Sequence, residues 1–263
     1  MKTNVNIIKN SPIGVLDSGI GGISTLNILK KVLPNEDFIF YADHKFAPYG
    51  DKTVEEVKSI VWNIVDYFSE QNVKAIVLAC NTATSAVAKE LREKLTIPIL
   101  GLEPAIKPAL EKSKKDIIIM ATVLTLEGKK FSDLLNKITQ KNSFLNNKLI
   151  KLPAKGLVEL IEAPIFDKKT ILLYLTTLFR DINLDNYSYL ILGCTHYIFV
   201  KDEIKQLVGN KIKIIDGNMG VSLYLKKILV EKDIISSRKR KGNIQIISSG
   251  SNKDLRRCYR FLD

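Results

Sequence analysis

Ala75-Ile76-Val77-Leu78-Ala79-Cys80-Asn81-Thr82 is an apolar run ended by a thiol and two short polar side chains. Tyr189-Leu190-Ile191-Leu192-Gly193-Cys194-Thr195-His196 repeats that pattern in the other half of the chain. Continuous apolar runs of this length, rich in Ile, Val and Leu, suit strands buried on both faces, as in parallel sheets. In open parallel sheets the carboxyl ends of the strands carry the chemistry. A cysteine at that place in both halves suggests a reaction needing one acid/base group on each face of a substrate.

Working outward, strand-like and helix-like segments alternate along the whole chain. Residues 13–17 read as a buried strand, then a glycine turn and an amphipathic stretch over 23–33. Residues 38–41 read as a second strand. Thr53 and Glu56 have the spacing of a capping box that opens a helix to about residue 70. A strand at 75–79, a helix over 84–95 and a strand at 97–100 complete a first set. Gly101-Leu102-Glu103-Pro104 marks a boundary. The second set has strands at 116–121, 149–152 and 189–192. Its helical stretches are 126–138, 157–163, 169–180 and the segment after His196. A strand at 212–215, a helix over 218–230, a strand at 242–248 and a helix over 254–262 close the chain. Repeated strand–helix units of this size predict an α/β fold with mostly parallel sheets covered by helices, in two related halves.

Composition bounds the function. The 263 residues are 46% apolar and 26% charged, the balance of an ordinary globular protein. No apolar run reaches the length of a membrane span. Residues 1–6 lack the apolar stretch of a signal peptide, so a cytoplasmic location is expected. Three cysteines give no disulfide framework, and Cys258 reads as a packing residue on the last helix. There is no CxxC, and His44 and His196 are far apart, so no metal site is expected. The net charge of +12 invites a nucleic-acid partner. The basic residues are spread through the chain, however, and Arg238-Lys239-Arg240-Lys241 reads as a solvated loop before the last strand.

Each polar motif has two readings. Asp17-Ser18-Gly19-Ile20-Gly21-Gly22 opens the first helix and lacks both the GxGxxG pattern and the lysine of a P-loop. Asp17 there either orients a neighbouring group or caps the turn. Cys80 is either reactive or a buried structural thiol. Cys194 has His196 two residues on, which can hold or deliver a proton beside it. Tyr49 and Gly50 line a polar site or form an ordinary turn. Thr122 and Thr125 bind a carboxylate or cap a helix. Glu159 is an assisting carboxylate or a solvated helix residue.

Taken together, Gly14-Val15-Leu16-Asp17-Ser18-Gly19-Ile20-Gly21-Gly22, Pro48-Tyr49-Gly50, Cys80-Asn81-Thr82-Ala83-Thr84 and Gly193-Cys194-Thr195-His196-Tyr197 resemble, in order, the motifs of the glutamate racemases within the aspartate/glutamate racemase family. The resemblance implies a cofactor-independent isomerase that supplies D-glutamate for peptidoglycan, with glutamate as substrate. It implies two α/β domains, 1–102 plus 213–263 and 103–212, with the active site in the cleft between them. Carried over, Cys80 and Cys194 are the acid/base thiols, and Asp17 and His196 assist them. Asp17, Ser18, Tyr49, Gly50, Asn81, Thr82, Thr122, Thr125, Thr195 and His196 are substrate-binding positions, with Glu159 as an assisting carboxylate. A homodimer without nucleic-acid or membrane partners is implied. The family commonly has Gly-Thr where Ala121-Thr122 stands here. The alternatives are an aspartate racemase and, in another class, a non-catalytic anion-binding protein.

Overall fold

The computed structural model describes residues 8–113, 115–141, 149–163 and 165–263. The N-terminal stretch read for a targeting signal lies outside them. Strand β1 (Ile13–Asp17) leads to helix α1 (Ile23–Val32), β2 (Phe38–Ala42) to α2 (Val54–Glu70), and β3 (Ala75–Leu78) to α3 (Asn81–Lys94). Strand β4 (Ile99–Gly101) ends this first pass. Then come α4 (Ile106–Lys112), β5 (Asp116–Ala121), α5 (Val123–Glu127), α6 (Lys129–Lys141) and β6 (Leu149–Pro153). They are followed by α7 (Leu157–Glu162), α8 (Lys168–Phe179), β7 (Tyr187–Leu192), α9 (Lys201–Val208) and β8 (Lys213–Ile215). Helix α10 (Asn218–Glu231), strand β9 (Ile244–Ser248) and helix α11 (Asn252–Phe261) complete the chain.

These elements form two compact units, residues 1–102 with 218–263 and residues 103–217. The first holds a sheet of order β4-β3-β1-β2-β9, the second a sheet of order β6-β5-β7-β8. Every strand pair is parallel. Strands β1 and β3 are buried along their whole length, which is why their sequences are unbroken apolar runs and do not alternate. Numbered from its own first strand, each unit has the same order, 2-1-3-4, and β9 is an addition to the first. The third strand of each unit, β3 or β7, is the one that ends in a cysteine motif. The repetition suggested by the two cysteine runs is therefore a repetition of topology.

The structure moves several expected boundaries. Residues 213–215 pair with β7, so the return to the first unit follows Gly217 and not residue 212. Helix α3 starts at Asn81, ahead of the expected residue 84, because the Cys80 sulfur caps it by accepting the Ala83 N–H at 3.4 Å. The helical stretch over 126–138 is two helices that break at Gly128. The segment after Cys194 is a 3-10 helix, Thr195–Val200, before α9 begins. The capping box forms as read, with Thr53 accepting the Glu56 N–H and Glu56 accepting the Thr53 N–H. Cys258 is fully buried on α11. No helix among the described residues is long and apolar enough to cross a membrane.

Candidate active site

The first cluster gathers where β1, β2 and β3 end. Asp17 is the last residue of β1 and is completely buried; its Oδ1 accepts the Gly19 N–H at 2.9 Å. Gly22 is needed behind it, because a Cβ there would lie 2.5 Å from the Cβ of Asp17. Ser18 follows, with its Oγ 3.9 Å from the Cys80 sulfur. Cys80 sits at the N-cap of α3, where helix N–H groups and the helix dipole favour a thiolate. Asn81 and Thr82 form the buried first turn of that helix. Asn81 Nδ2 donates to the carbonyl of Leu102, while its buried Oδ1 has no partner among the described residues.

Tyr49 and Gly50 open a 3-10 turn, Tyr49–Asp51. The tyrosine side chain is buried and donates its hydroxyl to Asp43 Oδ2 at 2.6 Å. Burial and the Asp43 carboxylate, with smaller contributions from Cys80 and Asp17, push this phenol far above its ordinary range. The Tyr49 proton is therefore committed to Asp43. What the turn can offer a ligand is its opening N–H groups, which have no partner within the helical turn itself.

The second cluster gathers where β5 and β7 end. Cys194, Thr195 and His196 are all buried. His196 Nδ1 lies 3.8 Å from the Cys194 sulfur, and Nε2 lies 2.8 Å from Glu162 Oε1. Burial alone would depress the imidazole, but the hydrogen bonds to Cys194 and Glu162 outweigh it and hold His196 well above its usual pKa. Thr122 caps α5: its Oγ1 accepts the Thr125 N–H at 3.3 Å and lies 2.9 Å from the Thr125 hydroxyl.

The carboxylate at His196 is thus Glu162 and not Glu159. Glu159 is exposed, and its charge is felt by Tyr174. The register of α7 explains the difference. Glu162 lies four residues after buried Val158, at the edge of the face that Leu157, Val158 and Ile161 bury, whereas Glu159 lies on the opposite, exposed side. Asp43 was also missed, although it stands directly after β2 as Asp17 stands at the end of β1.

The two clusters match strand by strand. Ala79 N donates to Leu16 O, and Gly193 N to Met120 O, each at 2.8 Å. Asp43 N donates to Asp17 O at 2.9 Å, and Ala154 N to Ala121 O at 3.0 Å. Cys80 is therefore the counterpart of Cys194. Asp17 and Asp43 correspond to Ala121 and Ala154. The second unit has no carboxylate at those strand ends and supplies His196 and Glu162 in their place.

The family model for Asp/Glu/Hydantoin racemases matches residues 24–219, a stretch that contains both cysteine motifs. The chain belongs to the Asp/Glu/Hydantoin racemase family. Within the racemase family, a glutamate racemase of Clostridium acetobutylicum is 46% identical over 97% of this chain and 99% of its own. The structure of glutamate racemase isoform RacE1 from Bacillus anthracis superposes with a TM-score of 0.85 at 29% identity, covering 97% of this chain and 94% of that one. Glutamate racemase from Francisella tularensis, solved with D-glutamate, superposes at 0.80 and 27% identity, covering 97% and 94%. In this racemase-family chain, Glu162→Gln removes the charge from a buried charge-assisted hydrogen bond worth about 1.5–3 kcal/mol. We expect a loss of roughly 10- to 100-fold in kcat/KM. Of the two histidine resonances followed by NMR, the His196 signal should titrate at lower pH in the variant. The raised pKa of native His196 stabilises the fold fully below about pH 6.5, the unfolded value. That stabilisation is lost as pH rises through the folded pKa, and Glu162→Gln should shrink it. An unchanged titration contradicts the pairing.

Proposed function

We propose that the protein interconverts L- and D-glutamate without a cofactor, passing the Cα proton through Cys80 and Cys194. The observation that carries this reading is the pair of thiols at equivalent strand ends, each provided with its own means of stabilising a thiolate. For Cys80 the means is the N-terminus of α3. For Cys194 it is the His196–Glu162 pair. A free thiol titrates near ~8.5, so a base at neutral pH needs such help.

Racemisation removes a proton from one face of Cα and delivers one to the other. One thiolate takes the Cα proton while the opposite thiol donates its own, and the roles exchange with the handedness of the substrate. The Cα–H of an amino acid is a very weak acid, so the charge developing on its carboxylate must be stabilised. Backbone N–H groups and hydroxyls preorganised in a site that excludes water do this. We assign that work to the first turn of α3 with Asn81 and Thr82, and to Thr195, Thr122 and Thr125. Ser18 and the turn at Tyr49 and Gly50 hold the substrate further. Asn81 Oδ1 is an acceptor suited to the substrate ammonium. Asp17 and His196 assist the thiols, His196 from 3.8 Å of the Cys194 sulfur.

The same reading makes the protein a homodimer of the cytoplasm that supplies D-glutamate for peptidoglycan. Its basic charge is a property of the whole surface and not a nucleic-acid site. The test is purified protein given L-glutamate or L-aspartate, with no added cofactor and circular dichroism as the readout. Loss of optical activity with glutamate alone is the expected result. Activity on aspartate alone, or on neither, overturns the reading.

A further inference from the structure

We infer that Ser249 is a positioning residue for substrate binding, acting through Asp43 on the Tyr49–Gly50 turn; the inference rests on the glutamate racemase reading. Ser249 follows β9, the strand that has no counterpart among the described residues of the second unit. It lies outside the family-model match and outside every sequence motif singled out above. Its Oγ donates to Asp43 Oδ1 at 2.6 Å and accepts the Lys45 N–H at 3.0 Å. Its own N–H donates to Ala42 O at 3.1 Å. Asp43 Oδ2 accepts from the Tyr49 hydroxyl, and Asp43 N donates to Asp17 O.

Asp43 is therefore held from three sides, by β1, by β9 and by the tyrosine. Both oxygens of a carboxylate buried to 1% exposure carry a hydroxyl donor, which fixes its rotation about the Cβ–Cγ bond. Tyr49, also 1% exposed, is fixed in turn, and with it the opening N–H groups of the turn. Tyr49 and Gly50 are substrate-holding positions in the glutamate racemase reading, so what fixes this turn fixes that part of the binding surface. Remove the Ser249 hydroxyl, and Asp43 keeps a donor on one oxygen only. The carboxylate can then turn, and the Lys45 N–H loses its acceptor, leaving the His44–Ser248 hydrogen bond as the nearby side-chain tie to β9. The acid/base thiols are untouched. The loss falls on binding shared by ground state and transition state, which appears in KM.

Ser249→Ala should raise KM for glutamate about 5- to 10-fold with kcat within about twofold, less than the loss of a hydrogen bond made directly to substrate because the effect passes through Asp43 and Tyr49. Ser249→Thr, which keeps the hydroxyl, should restore KM. Ser249→Cys, whose thiol fills the space but donates weakly, should behave as the alanine variant, and serves if that variant does not fold. Because both groups act through Asp43, the KM effects of Tyr49→Phe and Ser249→Ala should be less than additive. Amide hydrogen exchange over residues 45–52 should speed up in the alanine and cysteine variants and not in the threonine variant. That readout holds whether or not the protein racemises glutamate, so it separates failure of this inference from failure of the functional reading. Unchanged exchange, additive KM effects, or equal impairment by threonine and alanine overturns the inference.

Discussion

Replacing either Cys80 or Cys194 by serine should lower racemisation of glutamate by about 10³-fold or more and leave the fold intact. A positioned general base or acid contributes roughly 10²–10⁴-fold, and on the proposed mechanism each thiol fills one of those roles in each direction. An alcohol in the same place is far too weak an acid to exist as the conjugate base. Serine is close to cysteine in volume, and both thiols sit at the edge of the core, so thermal unfolding should shift little. The two variants should differ in pH dependence. In Cys80→Ser the remaining thiol still answers to His196 and Glu162, whereas in Cys194→Ser it answers to the end of α3. Near-wild-type turnover in either variant removes the two-thiol mechanism.

Replacing Lys74 by methionine should cost the protein about 3–5 kcal/mol, the usual penalty for stranding a buried charge. The Lys74 side chain is fully buried, and its ammonium lies 2.5 Å from Glu36 Oε2. It also donates to the carbonyls of Lys9 and Ile234, at 2.6 and 2.9 Å. Glu36 Oε1 accepts the Ser236 N–H at 2.7 Å. The ion pair therefore ties the segment leading into β9 to the first sheet. Burial lowers the lysine pKa against the opposing pull of Glu36, so the ammonium depends on its partner. The double variant Lys74→Met with Glu36→Leu should recover part of the loss, because two apolar groups leave no orphan charge, while the Ser236 N–H and the carbonyls of Lys9 and Ile234 still lose their partners. Urea unfolding checks both variants. A single variant within about 1 kcal/mol of the parent, set against that penalty, contradicts this view of the pair.

The same region shows how far the sequence could be read. Arg238-Lys239-Arg240-Lys241 reads as a solvated run, and Lys239, Arg240 and Lys241 are indeed exposed. Arg238 is not free: it pairs with Asp37 Oδ2 at 2.5 Å and donates to Asn10 O at 2.7 Å. No periodicity marks such a residue, because its partners come from the start of the chain.

The strands and the two thiols were legible because burial on both faces forces unbroken apolar runs, and the chemistry follows directly at their ends. Short β8 was placed in the wrong unit because three residues beside the crossing look alike whichever sheet they join. Glu162 was hidden behind Glu159 because a helix of six residues shows its register only through its buried face. Asp43 and Ser249 are 206 residues apart and meet only because β2 pairs with β9. Local pattern carries no signal of that pairing.

Whether two thiols or one base move the Cα proton is read at Cα itself. The direct measurement starts from L-glutamate in deuterated water, stops the reaction early and reads deuterium at Cα in each enantiomer. With two bases, the D-glutamate formed carries solvent deuterium while the remaining L-glutamate keeps its proton. Protium carried from substrate into product, or deuterium entering both enantiomers together, would contradict the mechanism.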